Sequence, residues 1–282
     1  MESSEKMVTI GVVGASGRTG SKIVSRIIAD PESRLGAALV SPGSKFLGLP
    51  VEGLSSLRYE ADLASLTGCD VVIDFSLPTA TVGVLSFCRE NKLPLLLATT
   101  GLSEGVHAEI SRAAEEVAIC LASNTSLGAT VLGILAAQAA KLLGPSFDCE
   151  VLEIHHKMKR DAPSGTAQAV VAQIVAADQG VNDHGGHDGI NDGQTRGFTG
   201  EREVIFGRSG LRREREIGVV SLRGGDEPGE HTVYFLGDSE RIEISHKVKD
   251  RAVFASGAVV LAKRLLGCGA GVYSPKELLL RA

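Results

Sequence analysis

One short segment gathers more chemically useful side chains than any other part of the chain. Residues 155–167 read HHKMKRDAPSGTA, with two histidines, three basic side chains at Lys157, Lys159 and Arg160, and a Ser-Gly-Thr sequence after Pro163. Histidine is the usual general acid near neutral pH, and lysine supplies a fixed cation. Ser-Gly-Thr before an Ala/Val-rich stretch predicts a helix start, whose N–H groups and dipole favour anions. The segment therefore predicts a site for an anion that is protonated during a reaction.

The spacing within this segment requires a turn. On an extended strand, His155 and Lys159 would lie about 13 Å apart at about 3.3 Å per residue, too far to hold one small molecule. A turn after His156 would bring both above the helix start at 164–166. Such a site offers a proton donor, a cation and backbone donors, which suits a dicarboxylate. The alternative is an exposed basic loop before an ordinary helix cap, and the convergence of donors and cations favours the site.

A glycine-rich loop near the N-terminus predicts a nucleotide site. Gly14, Gly17 and Gly20 follow an apolar run, MVTIGVVG, and lead into a helical pattern. Glycine allows a tight turn and a close approach to a pyrophosphate at the helix N-terminus. The spacing GxxGxxG is a variant of the usual motif and is weak alone, because glycine also marks ordinary turns. The strand–loop–helix context favours nucleotide binding.

The cofactor is predicted to be NADPH, with NADH possible. NAD-preferring folds carry an acidic residue at the end of the second strand, which is expected near Val40. The local sequence ALVSPGSK has no acidic residue, whereas Ser41, Lys45 and Arg18 could meet a 2′-phosphate. Lys45 as a solvated loop lysine is the alternative interpretation.

The pattern of apolar runs predicts two domains in an α/β fold. In the first half, short apolar runs alternate with helical patterns, which indicates a parallel sheet covered on both faces, a Rossmann-type domain. After Asn124 the pattern becomes α+β, with a four-stranded mixed sheet: one strand at 147–156, then three closely spaced strands at 216–247 that are expected to be antiparallel. We place the first domain at 1–126 and the second at 127–249, and the last helix could return to either one.

Composition excludes several classes of protein. The chain has 282 residues, a formal charge of -5, no tryptophan and 4% aromatic residues, so neither a nucleic-acid nor a membrane-surface partner is expected. Five cysteines without a CxxC pair argue against a disulfide framework or a zinc ribbon. The start MESSEKMVTI lacks a signal pattern, and no apolar run nears the ~18 residues of a membrane span. A cytoplasmic protein is predicted.

Other polar clusters are interpreted as structural. The segment 178–215 is rich in Gly, Asp, His and Arg and is predicted to be a loop, solvated or acting as a flap. Its Asp183-His184 and His187-Asp188 pairs have ligand-like spacing but no scaffold, so no metal site is expected. His231 and His246 are predicted to be structural histidines on strands, and the stretch 202–215 to be solvated or in contact with another subunit.

The segment 155–167 resembles the signature HHxxKxDAPSGTA of the dihydrodipicolinate reductase family. The resemblance extends over nearly the whole chain, in the order in which the family has its motifs. It includes the glycine-rich loop and the following segments: DFS at 74–76, ATTG at 98–101, ASNTS at 122–126, GEHTVYF at 229–235, ERIEISHK at 240–247 and RAVFASGA at 251–258.

The resemblance implies an NAD(P)H-dependent reductase of 4-hydroxy-tetrahydrodipicolinate in the diaminopimelate route to lysine. It implies that His155 is the proton donor and Lys159 a second catalytic group. It implies substrate binding by His156, Ser164, Gly165, Thr166 and Thr100. It implies cofactor binding by Gly14, Ala15, Ser16, Gly17, Arg18, Thr19, Ala98, Thr99, Thr100, Ala122, Ser123, Asn124 and Thr125. Ser41 is added to this set because of its place after the second strand.

The resemblance also implies a homotetramer formed through the second-domain sheets, and a C-terminal segment, 250–282, that packs back on the first domain. An apolar meander supports association independently, because a one-sided sheet with Val219, Val233, Phe235 and Ile244 needs a cover.

Two other functions remain open from the residues. One is an amino-acid dehydrogenase of related two-domain build, which would be indifferent to pyridine-2,6-dicarboxylate. The other is an NAD(P)-sensing regulator without catalysis, which would need a partner-binding module; no helix-turn-helix with a basic face is evident.

Overall fold

The chain, described here by a computed structural model, is resolved over residues 7–178 and 202–281. It divides into two compact units. The first comprises Met1–Leu127 and Arg251–Ala282, and the second comprises Gly128–Asp250.

The first unit contains an eight-stranded, mostly parallel sheet. Its strands are β1 (Val8–Val13), β2 (Ser33–Leu39), β3 (Pro50–Val51), β4 (Leu54–Glu60), β5 (Val71–Asp74), β6 (Leu95–Leu97), β7 (Ala118–Leu121) and β13 (Gly271–Tyr273). They are hydrogen-bonded in the order β13-β7-β6-β5-β1-β2-β4-β3, and the short β3 pairs antiparallel with β4. The predicted parallel sheet is confirmed, and β13 adds an edge strand that the sequence analysis did not include.

Helices cover both faces of this sheet. They are α1 (Gly20–Ile28), α2 (Pro78–Glu90), α3 (Glu104–Ala114), α6 (Ala252–Leu265) and α7 (Pro275–Leu280). Along β5, Val71 and Ile73 belong to the core beneath α1, α6 and α7, whereas Val72 belongs to the core beneath α2 and α3. Because successive side chains of a strand point to opposite faces, burial on both sides explains the uninterrupted apolar runs.

The second unit contains a five-stranded mixed sheet covered on one face by two helices. Its strands are β8 (Asp148–His155), β9 (Glu203–Phe206), β10 (Glu216–Arg223), β11 (Glu230–Leu236) and β12 (Arg241–Lys247), and its helices are α4 (Leu127–Leu143) and α5 (Gly165–Asp178). The order is β12-β11-β8-β10-β9. β10 is parallel to β8 and β9, while β11 is antiparallel to β8 and β12.

Two features of this sheet differ from the sequence expectation. The sheet has five strands rather than four, because β9 lies inside the segment expected to be a loop. The sequence GGDEPGE at 224–230 predicts a hairpin link, but β10 and β11 do not pair, because β8 lies between them. The link instead crosses the carboxyl end of β8, where Glu227 accepts a hydrogen bond from the His156 N–H at 2.8 Å.

The apolar meander is covered by the chain's own helices, so the argument for association from those side chains is wrong. Val219, Val233 and Phe235 are buried in one core with residues of α4 and α5, and Ile244 packs against it. The apolar side chains that remain exposed lie on the opposite face of the sheet, at Val220 and other positions described below.

Two further expectations need correction. The stretch 202–215 is not simply solvated: Arg202 is buried, and Arg208 and Arg212 form ion pairs with Glu150 at the sheet.

The segment Leu127–Ser146 is long and apolar enough, by length and composition, to cross a membrane, although no such run was expected. Several of its residues lie in the core of the second unit. The Asp183-His184 and His187-Asp188 pairs, and most of the expected flap, lie outside the described residues.

Candidate active site

Buried polar side chains of the second unit meet at the carboxyl end of β8. Alternation along β8 puts Glu153 and His155 on the face that carries the apolar core. The parallel register places Arg223 of β10 beside His155, and the antiparallel register places His231 of β11 beside Glu153. Three strands therefore bring together residues about 70 positions apart in the sequence.

Glu153 is the centre of this group. Its side chain is fully buried and accepts hydrogen bonds from both terminal nitrogens of Arg223, at 2.8 and 2.7 Å. It also accepts from the Ser164 N–H at 3.1 Å and contacts Nδ1 of His155 at 2.5 Å. Burial alone would raise the pKa of Glu153, but the hydrogen bonds from His155, Arg223 and Ser221 outweigh it and hold this pKa well below its usual range. The carboxylate is therefore charged at neutral pH.

The two ring nitrogens of His155 have different environments: Nδ1 is hydrogen-bonded to Glu153, and Nε2 faces Gly229, which has no side chain. The residue is 8% exposed, and its ring meets the ring of His231 edge-on with 5.1 Å between centroids. Nδ1 is held by Glu153, whereas a Cβ built at Gly229 would lie 3.0 Å from Nε2. Gly229 has φ +152°, a backbone conformation that disfavours other residues. A side chain at 229 would therefore crowd Nε2, the nitrogen that remains for proton transfer.

His231 belongs to the site, although the sequence analysis treated it as structural. Its Nε2 lies 2.9 Å from the hydroxyl of Ser164. Burial, and secondarily the nearby His155, lowers the pKa of His231 to about 4. The imidazole is therefore neutral at physiological pH and adds a hydrogen-bonding group rather than a charge.

The predicted helix start is present, and the buried carboxylate of Glu153 holds its first residue, Ser164, by a hydrogen bond. Ser164 caps α5, since its hydroxyl accepts from the Ala167 N–H at 3.2 Å, while its own N–H donates to Glu153. Gly165 and Thr166 form the first turn, and a Cβ added at Gly165 would meet no atom within 4 Å. The first turn of α5 thus presents open space at the positive end of a 14-residue helix.

The predicted turn after His156 is also present. The Lys159 N–H donates to the His156 carbonyl at 3.1 Å, which reverses the chain. The Lys159 ammonium pairs with Asp161 at 2.7 Å, and Arg223 donates to the Asp161 carbonyl at 2.6 Å. Lys159 therefore lies on a loop that Arg223, the partner of Glu153, contacts by a hydrogen bond. The Lys159 ammonium forms an ion pair with the exposed carboxylate of Asp161.

One group in the described residues has ligand atoms close enough for a metal ion. The candidate ligand atoms of Glu153, His155 and His231 lie within 4.8 Å of one another. Both carboxylate oxygens of Glu153 already face the guanidinium of Arg223. The positive charge of Arg223 would repel a metal cation at the same carboxylate. We therefore describe Glu153, His155 and His231 as part of a hydrogen-bonded network.

The glycine-rich loop of the first unit has the close backbone approach that a nucleotide loop needs. Gly14 has φ +81°, and a Cβ there would lie 2.4 Å from the Phe75 carbonyl oxygen. A Cβ at Gly20 would lie 2.0 Å from the Gly14 carbonyl oxygen. The helix α1 begins at Gly20, and the side chain of Thr19 does not cap it. The loop therefore fits a pyrophosphate at an uncapped helix N-terminus.

The residues of this loop have different environments. The N–H groups of Gly14 and Ala15 both donate to the Leu39 carbonyl, at 3.0 and 2.9 Å, so they anchor the loop to the sheet. Gly17 and Arg18 are exposed, as is Ser41 after β2. The part of the loop best placed for a ligand is therefore its second half.

The second expected cofactor loop is organised by a buried aspartate. The Ala98 N–H donates to the Asp74 carbonyl at 2.9 Å, and the Asp74 carboxylate accepts from the Ser76 N–H at 2.8 Å. Burial raises the pKa of Asp74 in spite of these hydrogen bonds. Thr99 is buried and Thr100 is exposed.

The third expected cofactor segment follows β7. The Ala122 N–H donates to the Leu97 carbonyl at 2.9 Å, and Ser123 is exposed. The Asn124 side chain accepts from the Ser126 N–H at 2.8 Å. Thr125 is buried and donates its hydroxyl hydrogen to the Phe254 carbonyl at 2.7 Å, so its side chain ties this loop to α6.

These three loops share one edge of the sheet. They follow β1, β6 and β7, and β5 lies between β1 and β6 in the same parallel order. Parallel strands bring their carboxyl ends together, which is where nucleotides bind in open α/β sheets.

Sequence comparisons assign both units to one family. The profile described as "Dihydrodipicolinate reductase, N-terminus" matches residues 8–125, and the profile described as "Dihydrodipicolinate reductase, C-terminus" matches residues 128–279. A protein of Hahella chejuensis named 4-hydroxy-tetrahydrodipicolinate reductase is 36% identical, covering 97% of this chain and 99% of its own length. One of the same name from Anaeromyxobacter sp. is 38% identical, covering 97% and 98%.

Solved structures support the fold. A dihydrodipicolinate reductase of Paenisporosarcina sp. TG-14, with dipicolinate bound, superposes with a TM-score of 0.72 at 22% identity, covering 97% of this chain and 100% of its own. An amine dehydrogenase of Mycobacterium smegmatis superposes with a TM-score of 0.61 at 12% identity, covering 96% and 95%.

Proposed function

The chain belongs to the dihydrodipicolinate reductase family, and we propose that its second unit binds and protonates the substrate ring of that reaction. The enzyme is an NAD(P)H-dependent oxidoreductase that reduces 4-hydroxy-tetrahydrodipicolinate on the diaminopimelate route to lysine. In this account, residues 127–249 bind the substrate and residues 1–126 with 250–282 bind the cofactor.

One observation carries the assignment of the substrate site. A histidine held by a buried carboxylate, a lysine on a short turn and the open first turn of α5 all belong to the segment 155–167 and its immediate partners. The substrate is a small dicarboxylate, and two carboxylates need cations or backbone donors to replace water. No other part of the described chain combines these three kinds of group.

Each group then has a distinct task. The N–H groups of Gly165 and Thr166, at the positive end of α5, bind one substrate carboxylate. The Lys159 ammonium leaves the exposed carboxylate of Asp161 and pairs with the second carboxylate of the substrate, because that carboxylate is less exposed to water when bound. His156 completes the substrate contacts that the second unit supplies. Ser164, which was expected to bind the substrate, is instead proposed to hold the helix start in place, because its N–H donates to Glu153 and its hydroxyl accepts from the Ala167 N–H.

His155 is assigned as the proton donor. The reduced nicotinamide, when bound, supplies the hydride. The 4-hydroxyl leaves with a ring proton as water, and the hydride then adds to the unsaturated ring that remains. The negative charge that this addition develops on the ring is neutralised by a proton from Nε2 of His155, while Glu153 stabilises the imidazole of His155 through Nδ1.

We assign NADPH as the preferred cofactor, with NADH possible. The second half of the loop 14–19 holds the pyrophosphate, and Ala98, Thr99, Ala122, Ser123 and Asn124 lie at the same sheet edge. Ser41 is exposed just after β2 and Arg18 is exposed in the glycine-rich loop, and both are proposed to contact a 2′-phosphate. Lys45 lies on the loop that follows β2, and its ammonium is 5.3 Å from the centroid of the neighbouring Phe46 ring.

The experiment that tests this function is coupled turnover. The condensation product of pyruvate and aspartate semialdehyde is supplied with NADPH or NADH, and pyridine-2,6-dicarboxylate is added as an inhibitor. We expect turnover with competitive inhibition, at least as good with NADPH as with NADH. A lack of turnover and of inhibition would reject the function, whereas a large NADH preference would reject only the cofactor assignment.

We further propose a cytoplasmic homotetramer. On the face of the second-unit sheet away from α4 and α5, Val220 is paired with Leu152 and Leu222 with Ile154. Val220 and Leu222 are 41% and 46% exposed. An apolar sheet face of this kind is an association surface, and a second copy of the chain is its proposed cover.

A further inference from the structure

We propose that Glu153 is a positioning residue for His155. Arg223 limits how strongly the charge of Glu153 stabilises the protonated form of His155. Glu153 holds Nδ1 and so directs Nε2 to the substrate. This inference rests on the proposed function, because it assumes that His155 is the proton donor. It assigns roles to two residues that the motif 155–167 does not contain.

The contacts that carry the inference meet at a fully buried carboxylate. Glu153 has no exposed surface, and the histidine and both arginine nitrogens lie 2.5 to 2.8 Å from its oxygens. The Ser164 N–H adds a further donor at 3.1 Å. A carboxylate that accepts from three directions cannot rotate without losing hydrogen bonds in a buried setting.

A fixed acceptor at Nδ1 determines which nitrogen of His155 works. A neutral imidazole has one N–H, and a charged carboxylate at 2.5 Å requires that N–H to be on Nδ1. In the protonated ring the second N–H is on Nε2, which gives up this proton in the reaction and is an acceptor afterwards. Gly229 leaves this nitrogen uncrowded, since any Cβ there would lie 3.0 Å away.

Arg223 opposes the charge of Glu153. A lone carboxylate beside an imidazole stabilises its protonated form and makes it a weaker acid. The two-pronged contact of the guanidinium offsets that charge. The other titratable groups around His155 are His231 on β11, which is neutral, and Lys159 with Asp161 on the turn, which pair with each other. Glu153 and Arg223 are therefore the two charges that act on His155 most directly.

The balance predicts opposite effects of the two substitutions on the pH dependence of kcat. If protonated His155 is the acid, kcat falls as pH rises through the range in which the ring loses its proton. For Glu153→Gln, that fall moves to lower pH by about one unit, because the carboxylate is lost and Arg223 is left uncompensated. For Arg223→Gln, it moves to higher pH by a similar amount. The double variant E153Q/R223Q returns the fall towards its original position.

Two readouts separate positioning from general damage. Glu153→Gln should lower the maximal kcat at least ~10-fold while the dissociation constant of pyridine-2,6-dicarboxylate changes less, because the carboxylate sites at α5 remain. Glu216→Gln is the matched control: Glu216 is also a buried glutamate paired with an arginine, Arg208, but it lies at the other end of β10. It should leave the pH profile unchanged.

A measurement on the unaltered enzyme covers the case in which variants do not fold. Nitrogen-15 NMR of the imidazole should show His155 protonated at Nδ1 when neutral. A proton on Nε2 of the neutral ring, or pH profiles of both variants that match that of Glu216→Gln, would overturn the inference. If His155→Ala kept normal turnover, the proposed function of the site would fail instead, so the two failures are distinguishable.

Discussion

His155 and Lys159 were both predicted from one motif, but they stand in different environments. His155 is almost buried and held by Glu153, whereas the Lys159 side chain is 21% exposed and rests on Asp161. We expect His155→Gln to lower kcat by ~10²–10⁴ with little change in the dissociation constant of pyridine-2,6-dicarboxylate, because proton donation is lost while the anion site remains. Steady-state kinetics and calorimetry measure the two quantities.

Lys159→Ala should instead weaken both turnover and inhibitor binding, because a cation for the carboxylate is lost. Lys157→Ala is the matched control, since Lys157 is an exposed lysine on the same turn. Near-normal turnover of Lys159→Ala, or equal losses in the two lysine variants, would contradict the assigned role.

His231 predicts a pH dependence of stability. Its pKa is lowered from 6.5 to about 4 by burial, so between these values the unfolded chain binds a proton that the folded chain does not. The free energy of unfolding therefore falls as pH drops from 6.5 to 4, by on the order of 3 kcal/mol at about 1.4 kcal/mol per pKa unit. Urea titrations over this range should show the fall.

His231→Gln should reduce that fall without abolishing it, because burial also lowers the pKa of His246. A variant with an unchanged slope of stability against pH would contradict the neutral, buried state of His231.

The sequence predicted the residues of the site that lie in one segment and missed those that long-range pairing supplies. Ser164 and the turn at Lys159 follow from local spacing. Glu153 was given no role, although a carboxylate two residues before a histidine on a predicted strand was the available signal. Arg223 and His231 could not be identified, because their proximity depends on the order β11-β8-β10, which no local pattern specifies.

At the scale of elements, the first turn of α5 is the proposed anion site. We expect Gly165→Ala to leave the protein folded, since the added Cβ meets no atom within 4 Å and alanine favours helix by up to ~1 kcal/mol. The methyl group nevertheless occupies the space proposed for a carboxylate. The affinity for pyridine-2,6-dicarboxylate should fall ~10-fold or more, as measured by calorimetry.

Gly105→Ala is the matched control, because Gly105 also lies in the first turn of a helix, α3, and has ordinary room for a Cβ. It should be as stable as Gly165→Ala and bind the dicarboxylate normally. Equal affinities of the two variants would show that the start of α5 does not contact the ligand.

Element prediction succeeded where the apolar pattern was strong and failed where it was short. The buried strands β1, β5 and β6 were evident from runs that must be covered on both faces. The four-residue β9 was missed, because its EVIF sequence stands among charged and glycine-rich residues. The link at 224–230 resembled a hairpin, because its glycines and acidic residues are typical of turns whether or not the flanking strands pair.

At the scale of the whole molecule, association is the main prediction. Leu222 is exposed on the outer sheet face and paired in register with Ile154. Leu222→Glu should place charges in the proposed interface and convert the tetramer to smaller species, which light scattering would detect. Glu243→Gln, on the edge strand β12, is a surface control. A monomeric unaltered enzyme, or a Leu222→Glu variant with unchanged mass, would contradict the proposed surface.

The sequence indicates a division into two domains, whereas it does not indicate which surfaces are covered. A change from strand–helix alternation to an α+β pattern near Asn124 is visible in the residues. The cover of the apolar sheet face was assigned to another subunit instead of the chain's own helices, because Val219 and Val233 look the same in the sequence whichever of the two packs on them.

The central claim is that a dicarboxylate ring is bound at the amino end of α5 between Lys159 and His155. A crystal structure of the enzyme with pyridine-2,6-dicarboxylate tests it most directly. We predict carboxylate oxygens within about 3 Å of the N–H groups of Gly165 and Thr166, with Lys159 released from Asp161 and Nε2 of His155 directed at the ring. A ligand bound elsewhere, with Lys159 still on Asp161 and the start of α5 contacting only solvent, would contradict the account.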